Sequence, residues 1–186
     1  MTDRERRTLV MVAKEAIGAA LFGTGQPLYE EVQTSQVPPY TDRRGCFVTL
    51  YRLGALRGCI GSVGPSAPLV DLVARLAHEA AFCDPRFRAV QPPEWESLRV
   101  EISILTEPRP ISDPDEIVLG RDGVILTYGS QRALFLPQVA TEQGWDRSQL
   151  LAHLALKAGL EVGIHHNRRC RLDVFQAEVF GDEPTL

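Results

Sequence analysis

The segment Leu56-Arg57-Gly58-Cys59-Ile60-Gly61-Ser62 sets a thiol between two glycines, with an arginine two residues before it. A cysteine attacks as its thiolate, and a neighbouring cation favours that form. In a strand, alternate residues share a face. Arg57, Cys59 and Gly61 are therefore expected on one face, and Leu56, Gly58 and Ile60 on the other. Gly58 and Gly61 would leave the thiol's surroundings open to a ligand or another backbone. Nucleophilic catalysis also calls for a base or orienting partner. His78 is the nearest histidine in the sequence, and Glu101 is a carboxylate placed to anchor Arg57 if their strands are neighbours. Asp84 and Arg86 would bring a carboxylate and a guanidinium beside the cysteine strand, or serve only to fix the loop that stops a helix. Gln138, following Pro137 at a helix start, offers an amide and free backbone N–H groups to an anion. The plain alternative for Cys59 is a small residue packed in a sheet.

Other chemistries find less support. Cys46, Cys59, Cys83 and Cys170 are widely spaced and form no C-x-x-C pair. His165 and His166, read as part of a strand, would point to opposite faces and so not share an ion. No Walker loop, dinucleotide fingerprint, nucleophile elbow or H-E-x-x-H occurs. No metal and no cofactor are expected.

These residues need elements to hold them. Thr2-Asp3-Arg4-Glu5 has capping-box spacing and opens a helix carrying Leu9, Val12, Ala13, Ala16, Ile17, Ala20 and Leu21 on one face. Gly23-Thr24-Gly25 stops it, and residues 23–44, with three prolines, read as a surface excursion. Cys46 to Tyr51 and Ala55 to Ser62 read as a hairpin turning at Leu53-Gly54, with Phe47, Thr49 and Tyr51 opposite in facing to Cys46, Val48 and Leu50. A helix from Leu69 to Ala81 stops at Asp84-Pro85, a short helical turn follows at Glu94 to Leu98, and Val100, Ile102 and Ile104 alternate in a strand. The same order then recurs. Val124 to Thr127 and Ala133 to Leu136 form a hairpin, Asp146 opens a helix through Ala158, and residues 171–180 alternate as a last strand. Two hairpin-helix-strand repeats argue for an α+β fold, a largely antiparallel sheet with helices mainly on one face.

A chain of 186 residues fits a single domain, here residues 1–186. The formal net charge of −4 argues against nucleic acid as a partner. No signal-peptide run follows Met1 and no apolar stretch reaches membrane-spanning length, so the expectation is a cytoplasmic protein with reduced thiols and no membrane contact.

Several ordered blocks carry a resemblance. Leu56-Arg57-Gly58-Cys59-Ile60-Gly61, Ala80-Ala81-Phe82 with Asp84-Pro85-Arg86-Phe87, Val100 to Leu105, Leu136 to Ala140 and Lys157 to Leu160 resemble the AMMECR-type domain family across roughly residues 8–180. The resemblance implies an α+β domain of two related repeats. It also implies association with Memo-type and radical-SAM proteins, neither of which is part of this chain. Joined to the residues above, it gives two expectations. One is an enzyme or enzyme component acting through Cys59 on a small molecule or modified protein group. The other is a non-catalytic module whose groove receives a peptide or docks such a partner.

Overall fold

The computed structural model describes residues 1–64 and 66–182. Its backbone divides into two compact units, residues 1–105 with the strand entered at Glu178, and Thr106–Ala177.

In the first unit, α1 (Asp3–Phe22) begins at the expected capping box: Glu5 N–H donates to Thr2 Oγ1, and the Glu5 carboxylate accepts from Thr2 N–H. Residues 23–44 are not all loop. Pro27–Ser35 form a second helix, α2, with proline in its first turn. No side chain of its own caps it; Glu15 of α1 accepts from Leu28 N–H (3.1 Å) and Tyr29 N–H (2.8 Å) instead. The rest of the excursion caps a third helix, α3 (Leu69–Phe82), by lending the Asp42 and Tyr40 carbonyls to Leu69 N–H and Val70 N–H.

The hairpin β1 (Cys46–Arg52) and β2 (Ala55–Ser62) stands as expected, and β3 (Leu98–Leu105) pairs antiparallel with β1. A 3-10 turn at Pro92–Ser97 leads into β3. Val48, Leu50, Val100, Ile102 and Ile104 face the helices and bury against Leu9, Ile17, Leu72 and Leu76. Each such side chain contributes up to about 1.5–3 kcal/mol when fully buried. This core holds the sheet flat against α1 and α3 and leaves its other face free of helices from its own unit.

The second unit repeats the plan with β4 (Arg109–Ile111), the hairpin β5 (Gly123–Tyr128) and β6 (Gln131–Phe135), α4 (Pro137–Gln143), α5 (Arg147–Lys157) and β7 (Arg171–Phe175). Val124, Leu126, Leu172 and Val174 bury against Leu150, Leu151 and Leu154. The expected α+β class and antiparallel pairing hold, but the strands form two four-stranded sheets rather than one, ordered β2-β1-β3-β8 and β4-β7-β5-β6. In each, the first hairpin strand is central, the second is an edge, and the returning strand pairs with the first. The last expected strand divides accordingly. Gln176 exchanges bonds with Thr106, which separates β7 from β8 (Ala177–Gly181) and sends them to different sheets. No helix among the described residues is long and apolar enough to cross a membrane.

Candidate functional site

The site begins with an irregularity. Along the hairpin Leu50 pairs with Gly58, but Tyr51 pairs with Leu56, so Arg57 is an extra residue, a β-bulge. Cross-strand partners share a face, so Leu56 falls with Tyr51 on the face away from the helices and is 42% exposed. The expected alternation fails at this step. Arg57 does not stand beside Cys59; it turns with Arg52 to the helix side, where both reach Glu94.

Arg57 holds Glu94 through two bonds, Nε to Oε1 at 2.9 Å and Nη2 to Oε2 at 3.1 Å, and Arg52 Nη1 adds a third at 3.3 Å. The Arg57 side chain is 15% exposed and Glu94's 13%. The hydrogen bond from Arg57 is the chief reason that the Glu94 carboxyl lies below its ordinary range, against the opposing effect of burial. The expected Arg57–Glu101 pair is absent because β1 lies between their strands. Arg57 thus fixes the turn at Pro92–Ser97 to the hairpin.

Cys59 stays on the face turned away from the helices of its own unit, directly opposite Thr49. Its N–H points outward to Asp84 rather than to β1, which makes Thr49–Cys59 a non-hydrogen-bonded pair, the kind that brings side chains closest. Thr49 Oγ1 accordingly donates to Cys59 Sγ at 3.4 Å. Thr49 in turn stands opposite Glu101, so Cys59, Thr49 and Glu101 form one row across three strands. The Tyr51 hydroxyl reaches Glu101 Oε1 at 3.5 Å.

Asp84 and Arg86 do meet Cys59, through its backbone. Asp84 Oδ2 accepts from Cys59 N–H at 2.9 Å, and Arg86 Nη2 donates to the Cys59 carbonyl at 3.2 Å. Arg86 also binds Asp84 through Nε (3.0 Å), Nη2 (2.7 Å) and its own N–H (3.1 Å). The Arg86 guanidinium, with the two N–H donors, drives the Asp84 carboxyl far below the usual carboxylate range despite its burial.

The two glycines are not openings. A Cβ at Gly58 would lie 2.1 Å from the Ala80 carbonyl oxygen, because α3 approaches the strand closely there. A Cβ at Gly61 would meet the Phe47 ring at the same distance. His78 is exposed on α3, packed on Phe82 with ring centroids 4.9 Å apart, on the side of the sheet away from the Cys59 side chain. Gln138 belongs to the second unit, in the first turn of α4. His165 and His166 lie in a 3-10 turn, not a strand, and their rings approach to 4.1 Å. The structure therefore gathers Cys59, Asp84, Arg86 and Glu101, parts them from Arg57 and His78, and adds two residues the sequence reading missed, Thr49 and Glu94. A cleft of about 620 Å³ is lined by Asp3, Arg7, Met11, Phe180 and Asp182 and includes none of these groups.

Comparison with known proteins places the chain among relatives along its length. A family profile described as AMMECR1 matches residues 10–180. A protein of Methanothermobacter thermautotrophicus is 40% identical over 186 residues, covering 96% of this chain and 95% of its own length. One of Methanocaldococcus jannaschii is 44% identical over 149 residues, covering 76% and 74%. The crystal structure of an uncharacterised protein from Pyrococcus horikoshii aligns with a TM-score of 0.80 at 35% identity, over 98% of this chain and 94% of that one.

Proposed function

The chain belongs to the AMMECR1 family, and on that footing we propose that it is a cytoplasmic enzyme or enzyme component of a system with Memo-type and radical-SAM partners, acting on a small molecule or modified protein group at Cys59. The Thr49 hydroxyl on Cys59 Sγ carries this reading. It offers a donor to the negative charge of the thiolate, the form of the sulfur that attacks an electrophile. Glu101, which the Tyr51 hydroxyl reaches, is a proton acceptor on the same face, and Thr49 stands between it and Cys59. Two strand spacings, roughly 10 Å, separate the two groups, too far for direct proton transfer. A ligand would bridge them.

The docking reading draws on one observation. The only histidine of the first unit, His78, is remote from the thiol face, so a nucleophile there has no imidazole from its own unit. As a docking surface, the same face would present Tyr51, Thr49 and Glu101 to a protein partner.

Alkylation of the folded protein, followed by mass spectrometry residue by residue, tests the first reading. Exposed Cys83 and buried Cys46 serve as internal standards. Rapid modification of Cys59 supports it, and a Cys59 that reacts only after unfolding refutes it. Cys59→Ala then separates the two readings: loss of turnover with partner binding retained fits the enzyme. Unchanged function of the variant, with loss on Glu101→Gln, fits the docking module.

A further inference from the structure

The strand that carries Cys59 ends its sheet. Edge strands present unpaired N–H and C=O groups that template pairing with another chain, and proteins blunt them with lysine, proline, bulges or covering segments. The other sheet follows that practice. Its edge strand β4 contains Pro110, and at its opposite edge the Leu134 carbonyl of β6 accepts from Lys157 Nζ at 2.9 Å. β2 has its bulge at Arg57, but the run beyond it, Gly58-Cys59-Ile60-Gly61-Ser62, has no charge and no proline. Its outward groups at Cys59 are nevertheless occupied. Asp84 supplies the acceptor that a neighbouring strand's carbonyl would supply, and Arg86 the donor that its N–H would supply. Two side chains thus imitate one residue of a further strand.

We propose that the Asp84–Arg86 pair is an edge plug, and that it keeps β2 from pairing with the β2 of a second copy of this chain. Such pairing would be antiparallel about Cys59 and self-complementary, since one residue offers both an outward N–H and an outward C=O. The plug has an anchored half and an accessible half: the Asp84 side chain is 2% exposed and that of Arg86 56%. Loss of Arg86 opens the Cys59 carbonyl and leaves the Asp84 carboxylate without its cation.

Arg86→Ala and Asp84→Ser/Arg86→Ala, compared with the parent by sedimentation velocity and by amide exchange at Cys59, test this. In the double variant, which loses the Asp84 acceptor, exchange of the Cys59 N–H should accelerate about tenfold or more, the scale of one lost charge-assisted hydrogen bond. The double variant should associate in a concentration-dependent way, with the Cys59 amide regaining protection and the Gly61 amide gaining it as it does so. A folded double variant that exchanges fast at Cys59 yet sediments as the parent does overturns the proposal. If the double variant does not fold, Arg86→Ala decides, its side chain being mostly exposed and its loss opening the Cys59 carbonyl: unchanged sedimentation of that variant across concentrations refutes the plug.

Discussion

Gly58→Ala should be among the most damaging conservative changes in the first unit. The added Cβ would sit 2.1 Å from the Ala80 carbonyl oxygen and 3.1 Å from the carbonyl carbon. An ordinary carbon–oxygen contact is about 3.3 Å or more, so β2 and the last turn of α3 would have to part by roughly 1 Å. Neither side of the contact is a side chain that can rotate away. Overpacking of this kind costs about 1–3 kcal/mol, and a contact between two main chains belongs at the upper end. Loss of glycine's freedom in the unfolded chain returns about 0.4–1 kcal/mol. The net expectation is about 2 kcal/mol, or a fall of roughly 4–8 °C in Tm. Each unit holds one tryptophan, so Trp95 fluorescence in a Trp145→Phe background reports the first unit through urea unfolding. Gly25→Ala is the control, since its Cβ would meet only Pro27 Cδ at 3.9 Å. Gly61→Ala should fall between the two, because the Phe47 ring that it strikes can turn aside. A Gly58→Ala midpoint equal to that of Gly25→Ala would refute the close-approach argument.

Three further outcomes follow from the site. Glu94→Gln removes the charge shared by Arg52 and Arg57 and should lower stability by about 2 kcal/mol, below the cost of breaking a fully buried pair because both partners keep some solvent; the urea midpoint measures it. Asp84 and Glu94 are both held below their ordinary values of 3.8 and 4.5. As pH falls, the unfolded chain takes up protons that these folded carboxylates still refuse. Their contribution is therefore complete above about pH 4.5 and declines below it. Asp84→Asn should flatten that acid limb, which stability curves measured from neutral pH downward would register. Cys46, wholly buried and with its thiol pushed up to about 12 by that burial, should resist alkylation until the first unit unfolds, while Cys83 reacts at once.

Much of the frame was legible in the chain. The alternation of Cys46 to Tyr51, the helical spacing from Leu9 to Ile17 and the Thr2–Glu5 capping box each reflect a local period or a contact three residues long, and all three stand. What escaped was set by partners distant in sequence. Helix α2 takes its cap from Glu15, outside the segment, and buries fully only Val32, so its own residues carry little helical signal. A two-residue turn at Leu53-Gly54 without a bulge would set Val48 against Cys59. The bulge shifts that partner to Thr49 and carries Arg57 through the sheet to Glu94, 37 residues away. Nothing in Leu56-Arg57-Gly58 announces an extra residue. Asp84 was legible as a neighbour of the cysteine strand, but the bonding of its carboxylate to the Cys59 main chain depends on tertiary packing.

The glycine–phenylalanine partnership at Gly61 and Phe47 has a counterpart in the second sheet, where Gly123 pairs with Phe175 and a Cβ would lie 2.3 Å from the ring. In each case the ring occupies the volume that the glycine vacates, so the two positions share a single allotment of space. Neither can drift alone. A methyl on the glycine collides while the ring is in place, and a smaller residue in place of the ring uncovers the strand opposite. A substitution at one position of either pair should therefore be accommodated only where the other gives way. Each sheet carries one such linked pair, between β1 and β2 in the first and between β5 and β7 in the second.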